Sequence, residues 1–188
     1  FAEKRFRAVG SISHKFNSFT NRTLMLSGGS SIDQFNPEKP INRIVNTIAT
    51  LFFRENYMKL YDRNFVRLDY SEEIINGLQL TAGVEYARRH ALFNNSNFST
   101  LKDASKSFTS NNPWLPFNNN IPAFEIHNIV RANVGTRITF SQDYWLRPDG
   151  KENQPTPYPR LYLNYEKGFA ATVDKYNFDH LSARITYD

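Results

Sequence analysis

The chain has 188 residues, a formal net charge of +5 and no cysteine, which removes disulfides, thiolate metal sites and cysteine nucleophiles together. No run approaches the ~18 apolar residues of a membrane-spanning helix, and the basic charge suits anionic lipopolysaccharide, nucleic acid or plain solubility without choosing among them. Mean hydropathy is −0.57 while aromatics supply 15% of the residues, a combination compatible with membrane strands, whose polar residue at every second position lowers the average.

In chain order, seven stretches read as strands, each bounded by Gly, Pro, Asn, Asp or Ser clusters. The first, Arg5 to Phe16, sets Phe6, Ala8, Gly10, Ile12 and Phe16 against Arg5, Arg7, Ser11, Ser13 and Lys15. After a turn at Asn17–Arg22, Thr23 to Phe35 returns as a Gly- and Ser-rich strand in which Gly28-Gly29 predicts a bulge or a close backbone approach. Beyond Pro37 and Pro40, Ile41, Ile44, Val45, Ile48, Leu51 and Phe52 recur at helical spacing. This predicts an amphipathic loop helix. It either packs its stripe against a barrel rim or acts as an interfacial helix or lumen plug.

The third strand, about Tyr57 to Ser71, is dense in Tyr and Arg and runs on to Asn76-Gly77, a tight-turn pair tolerant of positive φ. Leu78 to Tyr86 follows with clean alternation, so a hairpin is expected around Gly77. Phe93–Pro122 reads as an Asn- and Ser-rich loop. The fifth strand, residues 124–140, alternates much longer than the ~5–6 residues usual in globular strands. Phe124, Ile126, Val130, Ala132, Val134, Ile138 and Phe140 fall on one side, and Glu125, His127, Arg131, Asn133, Arg137 and Thr139 on the other. A tilted strand crossing a bilayer needs about 9–11 residues. Gln142–Pro159 is taken as a Pro-rich connection, Arg160 to Phe169 as the sixth strand, and Leu181 to Asp188 as the seventh.

An antiparallel meander of these strands puts the connections Asn17–Arg22, Glu73–Gly77 and Gln142–Pro159 at one end. Asn36–Asn56, Phe93–Pro122 and Ala170–Phe178 fall at the other. The second set is longer in total and is expected on the extracellular side, although Gln142–Pro159 fits that rule poorly. The whole is expected to be all-β: an antiparallel transmembrane β-barrel, a fragment of a larger one, with residues 1–188 part of one domain. A start at Phe1 without Met and a final segment still alternating at Asp188 suggest a longer protein, with any export signal upstream.

Two polar or apolar rows are the candidate sites. Glu85, Glu125, His127, Arg131, Arg137, Glu166 and Arg184 are expected to face a lumen. There they either select an anionic solute or pair across strands and fix register. Leu80, Ala82, Val84, Val130, Ala132, Val134 and Ile138 are expected to face lipid. Tyr57, Tyr61, Tyr70, Tyr86, Phe140, Tyr144, Trp145, Tyr158 and Tyr165 fit interfacial girdles, with a soluble aromatic core as the other reading. The four histidines are scattered, and no HExxH helix, GxSxG elbow or phosphate loop occurs. The chain is therefore read as non-enzymatic and without cofactor or metal; His127 beside Glu125 is the one pair that a rim-type hydrolase would use. Neither an RNP-type motif nor a helix-turn-helix supports nucleic-acid binding.

Asn36-Pro37, Asn56-Tyr57-Met58-Lys59-Leu60-Tyr61, Asn76-Gly77-Leu78, and Glu85-Tyr86 followed by Arg88-Arg89 carry a resemblance. Tyr158-Pro159 before Leu161 and the stretch from Tyr165 to Gly168 extend it. The chain resembles a family of outer-membrane β-barrel proteins of unknown function, commonly preceded by a carboxypeptidase-regulatory-like domain. That resemblance implies an exported barrel in a Gram-negative outer membrane with a small non-peptidase β-sandwich upstream in the periplasm, absent from this chain. The expected role is a non-enzymatic envelope scaffold, conduit or assembly partner, in contact with outer-membrane lipid and other envelope proteins within a multi-component complex. A solute or polymer transporter with a charged lumen is one alternative, and a soluble all-β binding module another.

Overall fold

A computed structural model describes residues 6–36, 39–94, 98–100 and 106–187. The expectations for Arg5, Pro37 and Asp188, and for parts of the 93–122 loop, lie outside the described residues. The described residues form nine strands and one α-helix: β1 (Val9–Asn17), β2 (Arg22–Gln34), α1 (Arg43–Phe53), β3 (Leu60–Ile75), β4 (Leu78–Ala91), β5 (His127–Thr139), β6 (Tyr144–Arg147), β7 (Gly150–Asn153), β8 (Arg160–Phe169) and β9 (Phe178–Thr186). A single 3-10 turn, Asp174–Tyr176, precedes β9. The main sheet has the order β1-β2-β3-β4-β5-β8-β9, and β6 pairs with β7 in a separate hairpin. This is the all-β class, mostly antiparallel, with one short helix. Among the described residues the sheet does not close: β1 and β9 each have one neighbour.

All seven expected strands are present. Their periodicity fixed them well because one face differs chemically from the other over long runs, and a one-residue slip would exchange the two. The Arg160 to Phe169 strand has the expected bounds as β8. Opposite β8, β5 pairs without interruption from Val130↔Phe169 to Thr139↔Arg160. Against β1, Gly28-Gly29 makes no bulge, since Gly10↔Gly28 and Val9↔Gly29 pair in continuous register and the irregularity falls instead between Lys15 and Asn17. The close approach expected there is real: a Cβ on Gly28 would stand 3.0 Å from the Phe65 carbonyl oxygen.

The Gln142–Pro159 connection links β5 to β8 as expected, but it holds a hairpin of its own, β6–β7, which the sequence reading did not foresee. Pro148-Asp149-Gly150 is its turn, with Gly150 at φ +149°, a position where a Cβ would meet Ser18 at 2.8 Å. The two four-residue strands are mostly exposed on both sides, so no alternation marks them.

Two compact units divide the chain: one comprises Phe1–Ala8, Ser30–Asn64 and Arg88–His127, the other Val9–Gly29, Phe65–Ala87 and Asn128–Asp188. In the first, Asn42 caps α1 by accepting from the Ile44 N–H at 2.8 Å, and Arg54 ends it in the left-handed region at φ 59°. The helix stripe is not packed against the rest of the unit as one sequence reading holds. Asn46 and Ala49 form the buried side, while Ile44, Val45, Ile48 and Phe52 are exposed. In the second unit a small apolar cluster joins Phe65, Ala87, Ile129 and Ala171, with Tyr176 and Phe178 against it.

Candidate functional site

The second unit's sheet has two chemically opposite faces. On β4, Val84 and Tyr86 are exposed while Glu85 and Ala87 are buried; on β5, Val134 is 52% exposed and Ile129 fully covered. On β3, Val66 and Leu68 point outward while the alternate positions Phe65, Arg67 and Asp69 are covered or half-buried. Water favours the reverse, with apolar side chains inside. The exposed side even holds a shallow apolar groove of about 300 Å³, lined by Gly10, Ile12, Leu26, Gly28 and Val66.

The covered face is built in successive rows along the strands. Beside the apolar cluster comes a row of charge. Glu85, 2% exposed, binds the Arg131 guanidinium through Nη2 and, at 3.1 Å, through Nε. Arg131 Nη1 reaches Glu166 at 3.1 Å, two pairs along from its own register partner Gly168. Arg67 Nη1 lies 3.8 Å from Glu85, and its Nε donates to Asp69 at 2.7 Å. Arg67 Nη2 also donates to Asn133 Oδ1. Buried carboxylates in such a place stay charged only with partners of this kind.

Gly83 makes room for this network. A Cβ there would stand 2.6 Å from Asn133 Oδ1 and 2.7 Å from Asp69 Oδ1. Further along, Thr81 Oγ1 donates to the Gly135 carbonyl at 3.3 Å, and Thr136 Oγ1 to that of Gln79 at 3.1 Å. This stretch of the face is thus filled by polar groups that bond one another, while the Arg137 Nε further along is buried without a hydrogen-bond partner among the described residues.

Of the seven residues assigned to the polar row, Glu85, Arg131 and Glu166 form one cluster. Arg137 and Arg184 share a different partner, Tyr162, which stands opposite both in register; the Arg184 guanidinium stacks 4.9 Å from its ring centroid. Glu125 and His127 belong to the first unit, where His127 Nδ1 lies 2.8 Å from the Glu125 carbonyl oxygen and its ring stands edge-on to Phe124. The row is therefore three separate arrangements. Arg67, Asp69 and Asn133 complete the first of them: Asn133 already stood on the polar side of the fifth strand, and the Tyr/Arg density of the third strand was the only sequence signal for Arg67 and Asp69. On the other face, Leu80, Ala82, Val130, Ala132 and Ile138 are half-buried, and Val84 and Val134 exposed.

Most of the aromatic set is exposed, including Tyr57, Tyr86, Phe140, Trp145, Tyr158 and Tyr165. Tyr61 differs: it packs edge-on against Phe35 and Phe124, with Arg89 5.6 Å over its ring.

At one end of the second unit the turns are tied together. Glu73 Oε1 accepts from the Gly77 N–H at 2.9 Å and from Lys151 Nζ at 2.8 Å, and Lys151 also donates to Asn76 Oδ1. The Glu73 N–H donates to the Thr20 carbonyl at 2.7 Å. The three connections grouped at this end from the sequence are thereby joined. In the first unit, Asn111 bridges strand ends: its Oδ1 accepts from the Leu60 N–H, and its Nδ2 donates to the Leu60 and Leu92 carbonyls. Outside the strands, Glu55 is held below the ordinary carboxylate range by hydrogen bonds from Lys106 and then Tyr57.

Among the described residues no group of three metal-ligating side chains gathers, and no helix is long and apolar enough to cross a membrane, which says nothing of strands. The fold and its faces define a class: an antiparallel all-β domain with a charged covered face and an apolar exposed one. Over residues 1–188 the chain matches the family of unknown function (DUF5686) C-terminal domain, and it belongs to that family. No curated protein and no solved structure matches it.

Proposed function

We propose that this domain forms part of the wall of a transmembrane β-barrel in a bacterial outer membrane, serving as a non-enzymatic scaffold and assembly partner. The observation that carries the reading is the inverted sheet: Val66, Leu68, Val84, Tyr86 and Val134 exposed, Glu85 and Arg131 covered. Hydrocarbon stabilises that arrangement and water does not. Strand length agrees. β2 to β5 run 13 to 16 residues, enough for a tilted crossing and an extension past the surface.

An open sheet edge is not viable in lipid, so β1 and β9 require further strands to close the wall. The exposed Tyr and Trp residues supply interfacial girdles. By resemblance, a carboxypeptidase-regulatory-like domain precedes the barrel on the periplasmic side. Outer-membrane lipid and other envelope proteins are the partners; nucleic acid is not. A soluble binding module would have to leave the apolar face in water.

Scaffolding is preferred to selective transport because the covered charges neutralise one another. Two guanidiniums, Arg131 and Arg67, stand among three carboxylates, Glu85, Glu166 and Asp69, so the cluster offers no surplus positive field to an anionic solute. The first test is electrophoretic: unheated protein in detergent should migrate apart from the boiled sample, as closed barrels do. Identical migration sinks the barrel. Single-channel recording of the reconstituted protein then separates the two roles. Steady anion-selective conductance would favour the transporter.

A further inference from the structure

We infer that α1 is an interfacial membrane helix whose Ile44, Val45, Ile48 and Phe52 side rests in the headgroup–acyl boundary of an anionic lipid leaflet. This rests on the membrane reading above but concerns a different element. The first observation is that the exposed stripe is held in place. On the opposite side Asn46 is spent internally: its Nδ2 donates to Asn56 Oδ1 at 3.1 Å, and its Oδ1 accepts from the Tyr57 and Met58 N–H groups at 2.8 Å each. At the C-terminal end the Leu51 carbonyl accepts from the Thr100 N–H at 3.0 Å and from Ser99 Oγ at 2.8 Å. Rolling the helix to hide its stripe would break this set, so the apolar side is a fixed outer surface.

The second observation is charge. α1 itself carries Arg43 and no acidic residue, and Lys39 and Arg54 flank it with Glu38 and Glu55 next beyond them, a small positive balance of the sign that anionic headgroups attract. The third is recurrence. In the other unit the strands expose Val84 and Val134 while covering Glu85. Two elements with different periodicities thus turn apolar residues outward, as a continuous apolar solvent would require and a single docked protein would not.

The chain has no cysteine, so single Cys residues can carry an environment-sensitive NBD label. Ile48→Cys, Val134→Cys and Asn120→Cys would be placed in the full-length protein, reconstituted in phosphatidylethanolamine–phosphatidylglycerol vesicles containing shallow or deep lipid quenchers. We expect label 48 to emit blue-shifted light and be quenched by the shallow probe, label 134 by the deep probe, and label 120 to report water. A water-like label 48 with a lipid-quenched label 134 overturns the helix assignment and leaves the barrel standing. A blue-shifted label 48 indifferent to both quenchers also overturns it, because a protein surface then covers the stripe. Water-like signals at both 48 and 134 sink the barrel reading as well. Replacing phosphatidylglycerol by phosphatidylcholine should weaken quenching at 48 and leave 134 unchanged.

Discussion

The two units share ion pairs as one answer to buried polarity, and the first adds another. In the second, strands of period two turn whole rows of charge to the covered side, and the charges cancel in pairs: Arg131 with Glu85 and Glu166, Lys151 with Glu73. In the first, Arg7 holds Asp62, itself 2% exposed, at 3.1 Å and Arg63 holds Asp33 at 2.9 Å, and neutral asparagines add a second device by imitating the backbone. Asn46 and Asn111 each satisfy main-chain groups where regular hydrogen bonding stops. The contrast teaches that ion pairs suit a repeating surface, where partners recur every second residue. Amides suit irregular chain ends, where one side chain must both donate and accept.

The comparison can be broken most severely at Glu85. Glu85→Ala leaves Arg131 covered with its main partner gone, and unpairing a buried ion pair costs about 3–5 kcal/mol. Denaturant unfolding should show most of that loss. A change under ~1 kcal/mol would mean the covered face is wetter than its 2% exposure of Glu85 implies. The next largest effect tests the opposite face: on the proposed membrane reading, Val134→Arg or Ala132→Arg sets a cation against hydrocarbon at a cost of about 2–4 kcal/mol. Assembly into membranes, followed by heat-dependent gel mobility, should fall for both. Normal assembly of both variants would contradict the facing.

In the first unit, Asn111→Ala removes three backbone contacts and should cost about 1–3 kcal/mol. The loss should appear as faster amide exchange at Leu60, whose N–H donates to Asn111 Oδ1, with the Glu85–Arg131 strands unaffected. Smallest is the Glu55 effect. Its depressed pKa means the Lys106 and Tyr57 contacts contribute stability above the ordinary carboxylate value, lost as pH falls through the lower folded value. Amide exchange of residues 55–57 and 106–109 should therefore quicken on acidification, and Glu55→Gln should remove that pH response. An unchanged acid response in the variant would assign it elsewhere.

How much of this was legible in the sequence follows from the same contrast. The strands of the sheet were readable because two faces of opposite chemistry persist along β4, β5 and β8, and Asn76-Gly77 marks its own turn. Gly77, at φ +82°, needs the left-handed freedom that the pair signals. The third strand was less regular for a reason now visible: Asp62 and Phe65, three residues apart, are both buried, so strict alternation fails between them. The β6–β7 hairpin was missed because its short strands, exposed at six of eight positions, carry no alternation, although Pro148-Asp149-Gly150 is a turn signal. The helix was placed correctly by its spacing, but spacing cannot say which medium meets the stripe. That depended on Asn46, whose partners at Asn56, Tyr57 and Met58 lie a loop away. The asparagine bridges were invisible for the same reason.

The β6–β7 hairpin also alters the entropy of joining β5 to β8. Without it, the span from Phe140 to Pro159 would be one slack tether, whose closure grows costlier with the logarithm of its length. Pairing Tyr144 with Asn153 and Arg147 with Gly150 folds the middle of that tether on itself, leaving two short free links. The unfolded distance between neighbouring strands is thereby shortened by a local event, which can occur before β8 has found β5.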